Sequence, residues 1–166
     1  MEIIQAKPTD LIEILHLLKI CILDMNAKGM KHWNSAYPGA DTIKKDLDAG
    51  SIYLVKEKGV CKGMVTLNAN EPEDYGQLNL PSENRKPLYL QHMAVHPRWQ
   101  GIGIAKLMIE FSQKLAKEKG FDCIRLDVFK PSDHARQLYE KQSFKEIASF
   151  QTSYQKIPFV CYEKQL

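Results

Sequence analysis

The chain has 166 residues, a length that suits one domain and leaves little for two. Hydrophobic residues make up 44% and charged residues 26%, ordinary globular usage that can supply a core. A net charge of +3, from 23 basic and 20 acidic side chains scattered along the chain, gives no electrostatic case for nucleic acid. The longest apolar run, Leu11 to Leu23, is broken by Glu13, His16 and Lys19, short of the about 20 residues a membrane span needs. With Glu2 at the start and no small-residue cleavage site, no secretory signal is read, and the expectation is a cytoplasmic protein. Cys21, Cys61, Cys123 and Cys161 lack the close spacing of a zinc site, so they read as small buried hydrophobes.

Glu2 to Ala6 reads as a first strand, closed by Pro8. Asp10 is predicted to cap the next helix, with Glu13 three residues on as in a capping box. Leu11, Ile14, Leu15, Leu18 and Ile22 follow at helical spacing. Residues 25 to 40 read as a loop, and a second helix starts near Asp41 and stops by Gly50. Ser51 to Val55 and Val60 to Asn68 form a hairpin through Lys58 and Gly59. Gly63 inside the second strand predicts a bulge or a close backbone approach. Residues 70 to 87, with three prolines, read as a long loop.

Leu88 to Val95 is the next strand, followed by a turn carrying Gly101 and Gly103. Ile104, Leu107, Met108, Phe111 and Leu115 then line one face of a helix that Gly120 terminates. Cys123 to Val128 alternates as a strand, and Ser132 or Asp133 caps a short helix through Lys141. Strands at 144–150 and 158–163 complete the order. These elements predict a single α/β (α+β) domain over residues 1–166, with a mainly antiparallel sheet and one parallel pair in its middle.

The turn from Gln100 to Ala105 carries the chemistry. First-turn amides of a helix lack intrahelical acceptors, and the helix dipole adds positive potential there. Small residues let phosphate oxygens approach, which makes an anion site, although a tight strand-to-helix turn needs the same glycines. A Rossmann fingerprint requires a third glycine at 106, where Lys106 stands, and Asp122 precedes its strand rather than ending it. A Walker loop requires Gly-Lys-Ser/Thr after four spacers, and none exists.

Met93-Ala94-Val95-His96-Pro97, then Gln100 through Ala105, then Leu138-Tyr139-Glu140-Lys141 and Phe144, resemble the GNAT superfamily of N-acetyltransferases. Gln100, Gly103 and Ala105 match that family's Gln/Arg-x-x-Gly-x-Gly/Ala signature. The resemblance implies a GNAT-like sheet with a splayed central parallel pair flanked by helices. It implies acetyl-CoA as cosubstrate, no metal, and direct transfer to a primary amine of a small molecule or peptide in a ternary complex. By the same resemblance the amides of Gln100, Gly101, Ile102, Gly103, Ile104 and Ala105 hold the pyrophosphate. Met93, Ala94 and Val95 present the strand along which the pantetheine arm lies, and a strand amide steadies the oxyanion. Tyr139 is placed as the general acid toward the leaving thiolate, and Ser132 stands at a cofactor-contacting position where asparagine is common.

Three positions depart from the family pattern: Gln91 where a glutamate base is usual, Ser132, and Ser143 in place of a glycine before Phe144. Imidazole titrates near neutrality, so His92 and His96 are candidate bases, His92 the better placed. At about 13 Å along a strand the two do not chelate. Glu71, Glu73 and Asp74 could attract a cationic amine or simply be solvated, and an ordered water without a dedicated base is a further route. Trp33 and Tyr37, with His32, lie in the loop after the first helix, either contacting the acceptor or stapling the loop to the core. The alternative functions are a catalytically silent CoA-binding or sensor module, kept open by Gln91, and a nicotinamide-dependent oxidoreductase using the turn. Expected partners are the amine acceptor and, where the chain self-associates, a second copy as homodimer, with neither nucleic acid nor membrane.

Overall fold

The structure, a computed structural model, describes residues 1–80, 84–153 and 155–166. Among the described residues, seven strands and four α-helices follow the predicted order: β1 Glu2–Gln5, α1 Leu11–Ala27, α2 Ala40–Asp48, β2 Ile52–Glu57, β3 Val60–Asn68, β4 Pro87–Val95, α3 Ile104–Glu118, β5 Cys123–Phe129, α4 Asp133–Lys141, β6 Lys145–Gln151 and β7 Pro158–Gln165. The sheet order is β1-β2-β3-β4-β5-β7-β6. Its parallel pair is β4 with β5, where Leu88 lies opposite Ile124 and Tyr89 opposite Arg125. Residues 81–83 of the predicted 70–87 loop lie outside the described residues; the rest of it carries a 3-10 turn over Glu73–Gln77.

The chain divides into two compact units, and β4 contributes to both. The first holds Met1–Leu67 and His92–Phe111. Its core gathers Ile14, Leu17, Leu18 and Cys21 of α1, Ile43 and Leu47 of α2, and Ile52, Leu54 and Met64 of the hairpin. Lys58 and Gly59 turn that hairpin at φ +50° and +78°, the left-handed pair that a two-residue type I′ connection requires.

Both readings of Gly63 hold. Gly63 lies opposite Val55 while Cys61 lies opposite Lys56, so Lys62 is the extra residue of a bulge. A Cβ on Gly63 would stand 3.0 Å from the Ala94 carbonyl oxygen and 3.2 Å from Ile104 Cγ2. Only glycine lets β4 and the head of α3 seat this closely on β3.

The capping box at α1 does not form. A 3-10 turn over Pro8–Asp10 leads straight into α1 and gives Asp10 helical dihedrals, φ −84° and ψ −2°, where an N-cap needs extended backbone. Its carboxylate turns back to accept the Lys7 N–H at 2.8 Å and a bond from Lys56 Nζ at 2.9 Å. Glu13 joins it on Lys56 Nζ at 2.6 Å and also accepts the Cys61 N–H. These acids tie α1 to the hairpin rather than capping the helix.

The second unit holds Asn68–Gln91 and Ser112–Leu166. Tyr75, Tyr89 and Cys161 form a buried cluster with Phe150 against it. Arg125 and Glu163, both buried, pair at 2.8 Å, and Arg85 bonds the other oxygen of Glu163.

Candidate active site

The glycine turn is built as an anion site requires. Gly101 and Gly103 sit at φ +79° and +90°, where an L side chain is strained. A Cβ at either would meet nothing within 4 Å, so the space over the turn is open. Leu107 N–H reaches back to the Gly103 carbonyl at 2.9 Å, closing the first helical turn. The amides before it have no intrahelical acceptor by construction.

Gln100 fastens the turn to β4 by donating from Nε2 to the Val95 carbonyl at 3.1 Å. The Cys21 thiol donates to the same oxygen from α1. His96 N–H donates to the Lys62 carbonyl of β3 at 3.0 Å. On β4, Met93 and Val95 are half-buried and Ala94 is buried, and the Val95 carbonyl is taken up by the bonds from Gln100 and Cys21.

His92 is the exceptional residue of β4. It stands at φ +45° inside a strand, is 8% exposed, and turns its ring toward α2 and the 28–39 loop. Its Nε2 lies 3.0 Å from the Tyr37 hydroxyl, and its Nδ1 lies 3.5 Å from Asp46 Oδ2. Trp33 packs its ring edge 6.2 Å from the imidazole and joins the core of this unit. Tyr37 is 49% exposed. Asn34 fixes the loop around it, its Oδ1 accepting the Ala36 and Tyr37 N–H groups at 2.8 and 3.1 Å, and the Asn34 N–H donating to the Tyr37 carbonyl at 2.8 Å.

The structure therefore brings His92, Trp33 and Tyr37 together and adds Asp46, which sequence reasoning missed. Asp46 reads as one of several solvated acids on a short polar helix, and nothing local marks it. Three other acid-base candidates, His96, Glu71 and Asp74, have partners elsewhere. His96 Nδ1 accepts the Arg98 N–H at 3.1 Å, and its ring packs on Trp99. Glu71 accepts from the Tyr89 hydroxyl and Asp74 from the Ser153 N–H, both at 3.0 Å. Burial pushes His32 down to about 4 and keeps it neutral.

In the second unit Gln91 is half-buried on β4. Ser132 occupies the N-cap position of α4, its carbonyl accepting from Arg136 N–H at 3.0 Å, without a side-chain cap bond. Tyr139 is buried on α4, edge-on to Phe144 at 5.6 Å. Burial, with Asp127 nearby, raises its phenol pKa well above the usual value and keeps the proton on oxygen. All four cysteines are free and buried, and burial drives the thiols of Cys21 and Cys161 up to about 12 and those of Cys61 and Cys123 to about 11. None is a thiolate at neutral pH. Among the described residues no three His, Cys, Asp or Glu side chains gather as a metal site, and no helix is long and apolar enough to cross a membrane.

A mixed sheet with one parallel pair, and a glycine turn leading from the inner strand of that pair into an amphipathic helix, define a GNAT-type acyltransferase fold. The model of the acetyltransferase (GNAT) family matches residues 19–144, and the chain belongs to that family. Among solved structures it is similar to a GNAT family acetyltransferase of Listeria monocytogenes 4b F2365, at 24% identity and TM-score 0.79 over 99% of this chain and 94% of that one. A GNAT family acetyltransferase of Streptococcus agalactiae 2603 gives 17% identity and TM-score 0.84 over 99% and 95%. The PaiA N-acetyltransferase of Thermoplasma acidophilum, solved in complex with coenzyme A, gives 14% and 0.74 over 99% and 98%. None of the curated proteins matches the sequence.

Proposed function

We propose that this protein transfers an acetyl group from acetyl-CoA to the primary amine of a small molecule or peptide, directly and within a ternary complex. The observation that carries the donor is the turn at Gly101 and Gly103, whose left-handed glycines leave open space above first-turn amides. A diphosphate fits that donor set, because exposed N–H groups and the helix dipole favour an anion and no Cβ stands in its way. Bound acetyl-CoA supplies the activated acyl group; the protein's residues bind, orient and move protons.

Gln100 to Ala105 hold the diphosphate, and β4 from Met93 to Val95 is the strand along which an extended arm lies. Tyr139, kept protonated by burial, serves as donor toward a departing thiolate. Four protonated, buried thiols favour direct transfer over an acyl-cysteine. Gln91 cannot take a proton, so the base falls to His92.

The test is coenzyme A release, followed with a thiol reagent across amines, polyamines, amino acids and peptides, beside thermal shift with acetyl-CoA and NADH. Turnover of an amine and stabilisation by acetyl-CoA are expected. Stabilisation by NADH alone refutes the reading, and acetyl-CoA binding without turnover of any acceptor points to a silent binding module instead.

A further inference from the structure

His92 is buried, so an acceptor in solvent does not meet it directly. The group that joins it to the surface is the half-exposed Tyr37, whose hydroxyl lies 3.0 Å from Nε2. On the far side of the ring, two buried polar atoms without hydrogen-bond partners, His92 Nδ1 and Asp46 Oδ2, face one another at 3.5 Å. A closure of about half an ångström makes them a normal bond. A histidine serving only to fill the core has no need of that carboxylate, nor of a left-handed backbone inside a strand, which costs on the order of 1–2 kcal/mol.

We propose that Tyr37, His92 and Asp46 form a proton relay in which the acceptor amine docks on the Tyr37 hydroxyl. This rests on the N-acetyltransferase reading above. The amine proton passes to Tyr37 Oη while the phenol's own proton passes to His92 Nε2. The nitrogen lone pair is thereby freed, and the imidazolium is balanced by the Asp46 carboxylate. Solvent recovers the proton by the reverse path, so no electrons are exchanged and no co-reactant is needed. Tyr37 is the catalytic residue in contact with substrate, and Asp46 is a positioning residue that fixes the Nδ1–H tautomer. Trp33 closes the ring's edge with an uncharged face.

Two readouts on this protein test the relay. The ¹⁵N shifts of the His92 imidazole should report the Nδ1–H tautomer in the wild type and its loss in Asp46→Asn; an Nε2–H tautomer in the wild type overturns the relay. In the amine-acetylation assay, Tyr37→Phe and His92→Gln should each lower kcat/KM by about 10²-fold. The double variant should fall little further, since the two act as one unit. Wild-type thermal stabilisation by acetyl-CoA should persist in all three variants, which separates the relay from cofactor binding. Turnover in the wild type with Tyr37→Phe unimpaired, or effects that multiply in the double variant, refute the relay and leave the acetyltransferase reading standing. Absence of wild-type turnover on any amine removes both.

Discussion

Replacing Gly103 by alanine separates two costs that the turn keeps apart. In the free protein the new Cβ meets nothing within 4 Å, so no clash arises and the penalty is backbone strain alone. At φ +90° that strain is on the order of 1–2 kcal/mol. For a chain of this size each kcal/mol shifts Tm by about 2–4 °C, so the free variant should melt about 2–8 °C below the wild type. The ligand-bound state loses more, because the methyl enters the space through which phosphate oxygens reach the amides.

Acetyl-CoA at 100 times its Kd stabilises a one-site protein by about 2.7 kcal/mol. If the methyl weakens binding tenfold, the same concentration is only ten times Kd and the stabilisation drops to about 1.4 kcal/mol. Differential scanning fluorimetry of both proteins with and without acetyl-CoA reads all four values. The ligand-induced rise should roughly halve in Gly103→Ala, or vanish if the displacement is larger. A variant that loses stability as expected yet keeps the full ligand-induced rise would show that the diphosphate is bound elsewhere.

Ser143 stands at φ +64°, so Ser143→Gly should raise stability by about 1 kcal/mol, read as a higher urea midpoint; an unchanged or lower midpoint would mean that the serine side chain offsets the strain. Tyr139→Phe keeps the ring against Phe144 and removes only the hydroxyl, so kcat should fall by about 10²-fold or less with little change in Tm. An unaltered kcat would dismiss Tyr139 as proton donor. The Asp10 carboxyl is held below its ordinary 3.8, chiefly by the Lys7 N–H and further by Lys56, against the opposing effect of burial. A depressed folded-state value stabilises the fold above pH about 4 and loses that contribution as pH falls through it. Asp10→Asn should therefore be less stable than wild type at pH 7, with the gap closing toward pH about 2; a gap that persists in acid would assign the effect to shape rather than charge.

Local signals carried the fold well. The Lys58-Gly59 turn, the glycine-closed α3 and the alternation of β5 each rest on chemistry within a few residues, and each element formed close to its expected bounds. The failure at Asp10 is instructive because the same local motif was present. A 3-10 turn immediately before α1 put Asp10 into helical dihedrals, and a lysine 46 positions away offered both acids a partner. Long-range pairing of that kind leaves no mark in a short window. The site divides along the same line: the contiguous turn, His92 and Tyr37 each stood out in the sequence, whereas Asp46 and its meeting with them, across a helix, a strand and a loop, did not.

The two halves of the site in this unit handle strain in opposite ways. At the turn, glycine removes the penalty for left-handed backbone, so the cradle stands ready without distortion and Gly101 and Gly103 contribute only peptide groups. At position 92 the backbone is also left-handed, yet a histidine bears it, and no glycine could replace it without deleting the imidazole. The side chain there has neighbours on three sides: the Tyr37 hydroxyl 3.0 Å from Nε2, Asp46 3.5 Å from Nδ1 and Trp33 at the ring edge. Under the proposed function, that asymmetry separates binding from chemistry. A phosphate asks for amides that any backbone can supply, while proton transfer asks for one ring in one orientation.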